Sequence, residues 1–121
     1  MIPIISIIGR TNSGKTTLLE RLIPELVRKG YRVGAVKHHF HGDFEIDREG
    51  KDSWRLTRAG ADAVVLYSPV RLAVIRKLEK PVPEEEMVRL LGEVDIVLTE
   101  GFKQGPWPKI EVIRAVQGLE P

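Results

Sequence analysis

The stretch Gly9-Arg10-Thr11-Asn12-Ser13-Gly14-Lys15-Thr16 fills every position of the pattern G-x-x-x-x-G-K-S/T, and it lies between an apolar run and an amphipathic one. The flanks matter as much as the loop. Ahead of it, residues 3–8 form a β-branched run bounded by Gly9, as expected of a strand buried on both faces of a parallel sheet. Behind it, Leu18, Leu19, Leu22, Ile23, Leu26 and Val27 recur at helical spacing, with Glu20, Arg21, Glu25 and Arg28 on the other side. Pro24 removes a backbone donor inside this helix and predicts a kink, and Gly30 is the expected stop. Strand, glycine loop and helix in this order bring unpaired N–H groups and the positive end of a helix dipole to one point, which suits an anion. Gly9 and Gly14 let the backbone wrap that anion in conformations a Cβ would obstruct.

In this pattern the lysine, here Lys15, reaches the β- and γ-phosphates of a nucleoside triphosphate, and the Thr16 hydroxyl ligates Mg²⁺. Arg10, Thr11, Asn12 and Ser13 complete the cradle. Thr17 either touches the α-phosphate or only opens the helix.

A strand over residues 31–37 follows, completing a βαβ unit. The expected fold class is therefore α/β, a P-loop NTPase fold with a mostly parallel sheet flanked by helices. Residues 38–51 are polar and read as a long loop. Asp52 is expected to cap a short helix ended by Gly60, and residues 63–76 to form an antiparallel hairpin about Ser68-Pro69. Its second strand lacks a clean polar face. Pro83 with three glutamates behind it marks another helix start, and residues 94–99 and 109–113 two further strands.

With 121 residues, 42% of them apolar and 30% charged, the chain has the balance of one soluble domain spanning residues 1–121. A net charge of +2 without a long run of like charges argues against nucleic acid as a partner. The absence of cysteine removes disulfides and thiolate chemistry. The apolar N-terminal run stops too soon for a membrane span, so a cytoplasmic location is expected.

The run from Val94 to Thr99 leads into Glu100-Gly101, where a phosphate-loop protein places the carboxylate that holds Mg²⁺. Glu100 is thus the candidate partner of Lys15 and Thr16 in catalysis, and Asp95, at the other end of that strand, reads as a solvated cap. Lys37 ends the second strand and either faces the phosphates or is a solvated strand-end lysine. The loop residues His38, His39, His41, Asp43 and Asp47 admit a metal reading, but without cysteine a substrate-facing or nucleotide-sensing loop is favoured, in which Asp47 or Asp52 supplies a further Mg²⁺ or water contact. Trp107, in Gly105-Pro106-Trp107-Pro108, is expected at a surface or interface, and Trp54 there or in the core.

Four stretches taken together resemble the molybdopterin-guanine dinucleotide biosynthesis adapter family, MobB. They are Gly9 to Thr17, Lys37-His38-His39-Phe40-His41 through Asp47, Gly50-Lys51-Asp52-Ser53 with Ala59-Gly60-Ala61, and Thr99-Glu100-Gly101-Phe102-Lys103 with Pro108-Lys109-Ile110-Glu111. The resemblance implies a homodimeric, GTP-binding accessory factor with weak GTPase activity. Its partner would be the molybdenum cofactor guanylyltransferase (a MobA-type enzyme) that joins GMP to Mo-molybdopterin, and molybdopterin itself is a candidate ligand. A likeness to the class containing dethiobiotin synthetase supports phosphate and Mg²⁺ roles for Lys37 and Glu100, and keeps an ATP-dependent small-molecule kinase or ligase as the alternative. No N-K-x-D guanine-reading motif is present, because the only asparagine, Asn12, lies in the loop. Guanine preference therefore comes from the resemblance, and ATP stays open.

Overall fold

A computed structural model describes residues 2–39 and 51–115. They fall into two compact units, residues 1–41 with 83–121 and residues 42–82. Each is described by itself.

The first unit is built on a four-stranded parallel sheet in the order β2-β5-β1-β6, from β1 (Ile4–Ile8), β2 (Val33–Lys37), β5 (Ile96–Glu100) and β6 (Lys109–Glu111). The expected runs over residues 3–8 and 94–99 form its two central strands, β1 and β5. Ile7, Val97 and Leu98 are almost wholly buried. Strand periodicity sorts their side chains. Ile5 and Ile7 of β1 and Leu98 of β5 face α1 (Lys15–Arg28), which brings Leu18, Leu19, Leu22, Ile23 and Leu26 onto that face. On the opposite face Ser6 and Thr99, aligned across the β1–β5 pair, are both buried, and the Thr99 hydroxyl donates to Ser6 Oγ at 2.9 Å.

The helix continues through Pro24 and closes where Gly30 was expected to end it. The Gly30 N–H donates to Val27 O and the Tyr31 N–H to Leu26 O, with Gly30 at φ 93°, the paired bonds of a Schellman cap. α3 (Glu84–Arg89) follows Pro83 and carries Glu84, Glu85 and Glu86 in its first turn. Beyond it, Leu91 and Val94 lie over Gly34 of β2, where a Cβ would sit 2.9 Å from Leu91 Cδ1.

The second unit holds α2 (Asp52–Arg58) and an antiparallel pair, β3 (Ala63–Ser68) with β4 (Arg71–Arg76). The cap position of α2 is Lys51 and not Asp52, which is the first helical residue. Gly60, at φ 117°, closes it with the same bond pattern as Gly30, from Gly60 to Thr57 and from Ala61 to Leu56. The hairpin turns at Pro69-Val70, where Ser68 Oγ accepts from the Val70 and Arg71 N–H groups. Its lack of a polar face is now explicable. Val64, Leu66, Ala73 and Ile75 share one face, whereas Val65, Tyr67, Leu72 and Val74, on the other, are all more than half exposed. Trp54 is half-buried, with the Arg58 guanidinium 5.8 Å from its ring centroid.

Candidate functional site

The carboxyl ends of β1, β2 and β5 lie side by side, with Ile7 opposite Glu100 and Glu100 opposite Lys37. The pleat that points Ile7 and Leu98 at α1 also places Glu100 and Lys37 on the α1 face, beside the loop that leads out of β1. Parallel pairing in this register is thus what gathers residues from positions 9–16, 37 and 100 into one site.

Both loop glycines hold the positive-φ backbone for which glycine was expected. Gly9 has φ 150°, and a Cβ there would stand 2.6 Å from Val112 O and 2.7 Å from Ser13 Oγ. Gly14 occupies the cap position of α1 at φ 106°, and Asn12 is left-handed at φ 64°. Arg10, Thr11 and Asn12 are exposed at the loop tip, as is Thr17 in the first turn of α1. Ser13 is 4% exposed, and its hydroxyl has no hydrogen-bond partner among the described residues.

Four side chains converge below the loop. Lys15 Nζ donates to the carbonyl of Gly9 at 2.9 Å, so its ammonium is folded back over the cradle. Thr16 Oγ1 donates to Glu100 Oε1, and Lys37 Nζ lies 2.9 Å from Glu100 Oε2. Glu100 is only 6% exposed. Burial works to raise its pKa, but the hydrogen bonds from Lys37 and Thr16 and the positive charges of Lys37 and Lys15 outweigh that, and the carboxyl is held below its ordinary value. The site therefore presents a carboxylate at neutral pH. The Thr16 hydroxyl and the Glu100 carboxylate are hard oxygen donors of the kind Mg²⁺ takes, and Lys15 and Lys37 are cations beside the cradle. Lys37, open between a phosphate-facing and a solvated strand-end lysine, pairs with Glu100 while its side chain stays 57% exposed.

Asp95 stands apart at the opposite end of β5, where it accepts from the Arg32 N–H at 2.7 Å, as a cap would. Asp47, with His41 and Asp43, lies outside the described residues. Among the described residues no three histidines, aspartates or glutamates are grouped as a metal site would need. No helix among them is long and apolar enough to cross a membrane.

Sequence reasoning missed an aromatic cluster beside the site. His38, next to Lys37, stacks on Phe102, two residues beyond Glu100, with ring centroids 4.6 Å apart and planes 15° apart. Trp107, expected at a surface or interface, is half-buried with its ring edge-on to Phe102 at 5.7 Å. Phe102 itself is left-handed at φ 61°, costly for a bulky residue. The signal available was positional: His38 directly follows Lys37, and Phe102 stands two residues beyond Glu100.

A family model described as "Molybdopterin guanine dinucleotide synthesis protein B" matches residues 4–121. A molybdopterin-guanine dinucleotide biosynthesis adapter protein of Haemophilus influenzae is 46% identical over 111 residues, covering 90% of this chain and 62% of the relative. The chain thus spans less than two thirds of that relative's length. The adapter protein of Escherichia coli is 38% identical over 127 residues, covering 100% of this chain and 71% of that protein. Among solved structures, the crystal structure of Bacillus subtilis MobB superimposes with a TM-score of 0.79 at 32% identity, covering 98% of this chain and 74% of that one.

Proposed function

Because the chain belongs to the MobB family, we propose that it acts as a nucleotide-binding adapter in the making of the molybdopterin-guanine dinucleotide cofactor. It holds GTP in the Gly9–Thr16 loop and assists the MobA-type enzyme that attaches GMP to Mo-molybdopterin. The observation that carries the reading is the convergence of Lys15, Thr16, Lys37 and Glu100 at the carboxyl edge of the sheet.

Each residue has a role that its surroundings support. The loop N–H groups and the start of α1 receive the phosphates. Lys15 exchanges its bond to Gly9 for one to phosphate oxygen. Thr16 and Glu100 would hold Mg²⁺, which when bound neutralises charge on the terminal phosphates. Lys37 keeps Glu100 ionised and its carboxylate oriented. A homodimeric state is supported by the apolar hairpin face, on which Tyr67 is 78% and Leu72 63% exposed. We place the protein in the cytoplasm on the grounds of its proposed partners.

Hydrolysis should be followed for the protein alone and then with the guanylyltransferase and molybdopterin present. The adapter reading expects slow hydrolysis alone and increased cofactor formation by the complete mixture. Fast turnover by the single protein on a small acceptor would instead establish the kinase-type alternative.

A further inference from the structure

Ser13 belongs to the phosphate loop, yet it is buried, only 4% exposed, while Arg10, Thr11 and Asn12 beside it face solvent. Its Oγ lies against Gly9. The distance to the point where a Cβ on that residue would stand is 2.7 Å, shorter than the 3.5 Å from Ser13 Cβ, so the hydroxyl is turned toward Gly9. It has no hydrogen-bond partner among the described residues. A buried hydroxyl in this state is destabilising, because it gives up its bonds to water and receives none in return.

The same Gly9 carries the carbonyl to which Lys15 Nζ donates at 2.9 Å. When the ammonium is drawn to an anion, that carbonyl loses its donor and is left unpaired unless another takes its place. Two carbonyls adjoin the Ser13 hydroxyl. That of Val112, 2.6 Å from the same Cβ point, belongs to a segment pinned by the bond from the Val112 N–H to Ile8 O at 2.8 Å, and it leaves Ser13 unpaired here. That of Gly9 is the one whose bonding changes, and a residue without a side chain can re-aim its peptide.

We propose that Lys15 and Ser13 are alternative donors to the Gly9 carbonyl: the ammonium holds it in the free protein, and the hydroxyl takes it once the ammonium has moved to a phosphate. Ser13 is then a positioning residue. It does not touch the ligand, but it is unpaired in the free loop and paired in the occupied one, so binding relieves a cost that the free protein carries. This consequence for affinity rests on the triphosphate reading above, whereas the exchange of donors does not.

Removing the Lys15 ammonium imitates its departure, so the exchange can be tested without nucleotide by thermal unfolding of the wild type, Ser13→Ala, Lys15→Ala and the double variant. Ser13→Ala should raise the melting temperature in the wild-type background, where it deletes an unpaired hydroxyl, and lower it in the Lys15→Ala background, where it deletes a bond. The two effects should differ by about 4–8 °C, the shift expected for one hydrogen bond in a small domain. Ser13→Cys, which fills the space with a weak donor, should follow Ser13→Ala in both backgrounds. In calorimetric titration with GTP and Mg²⁺, Ser13→Ala should bind about tenfold more weakly than the wild type, equivalent to about 1.4 kcal/mol. The proposal is overturned if Ser13→Ala has the same effect on melting in both backgrounds, if Ser13→Cys behaves as serine does in Lys15→Ala, or if Ser13→Ala binds GTP as tightly as the wild type. A wild type that binds no GTP while the reversal of sign holds would refute the triphosphate reading alone and leave the exchange of donors standing.

Discussion

Replacing Lys37 by methionine keeps the aliphatic stem but removes the ammonium 2.9 Å from Glu100 Oε2. Losing one partner of a fully buried pair costs about 3–5 kcal/mol, because the other charge is left unpaired. Here the carboxylate side chain is 8% exposed but the lysine 57%, so water screens much of the attraction, and exposed pairs are worth only about 0–1 kcal/mol. Thr16 and Lys15 also stay in place to support the charge. An intermediate cost of about 1–2 kcal/mol at pH 7 follows. Its pH dependence has a definite sign. The folded-state pKa of Glu100 is depressed, so its interactions contribute stability above the ordinary carboxylate range and lose it as pH falls through the folded value. The difference between wild type and Lys37→Met in urea unfolding should therefore shrink as pH falls from 7 to about 3, below ordinary carboxylate values. A cost that is absent at pH 7, or equal at both pH values, would refute the placement of Lys37 as the group that holds Glu100 ionised.

Three further outcomes are expected. Gly9→Ala places a methyl 2.6 Å from Val112 O and 2.7 Å from Ser13 Oγ, and should lower stability by about 1–3 kcal/mol in thermal unfolding while abolishing triphosphate binding. Thr99→Val leaves the buried Ser6 hydroxyl without its 2.9 Å partner and should cost about 1–3 kcal/mol; adding Ser6→Ala should recover part of this, and a fully additive double mutant would show that the pair is uncoupled. Gly101→Ala, strained at φ 110° and 3.0 Å from His38 Cβ, should cost about 1–3 kcal/mol and shift the aromatic ring-current signals of His38 and Phe102 in NMR spectra.

What could be read in the sequence were features set by local chemistry and chain periodicity. The β-branched run before Gly9, the apolar spacing of α1 and the loop between them specify their own conformations, and the structure contains all three. The two glycine stops, Gly30 and Gly60, act through their own φ angles and were equally legible. The hairpin was expected from its turn, although its exposed apolar face is intelligible only once register shows which residues share a side. Glu100 could be proposed from its place at the end of an apolar strand. Its bond to Thr16 and its pairing with Lys37 required the strand order, because β5 is inserted between β1 and β2, a long-range arrangement that no local spacing encodes. The same holds for His38, Phe102 and Trp107, which are separated in the chain and meet only because parallel strands end together. The cap of α2 shows the opposite limit: Asp52 has the right chemistry for a cap, yet the helix begins one residue earlier in register, with Lys51 outside it.

The central claim is that Lys15, Thr16 and Glu100 form a triphosphate and Mg²⁺ site. It is tested most directly by calorimetric titration of GTP and ATP, each with and without Mg²⁺, into the wild-type protein and Lys15→Ala. Saturable, Mg²⁺-dependent binding to the wild type, tighter for GTP and largely abolished in Lys15→Ala, is the predicted result. An unchanged affinity in Lys15→Ala, or no binding of either nucleotide to the wild type, would contradict it.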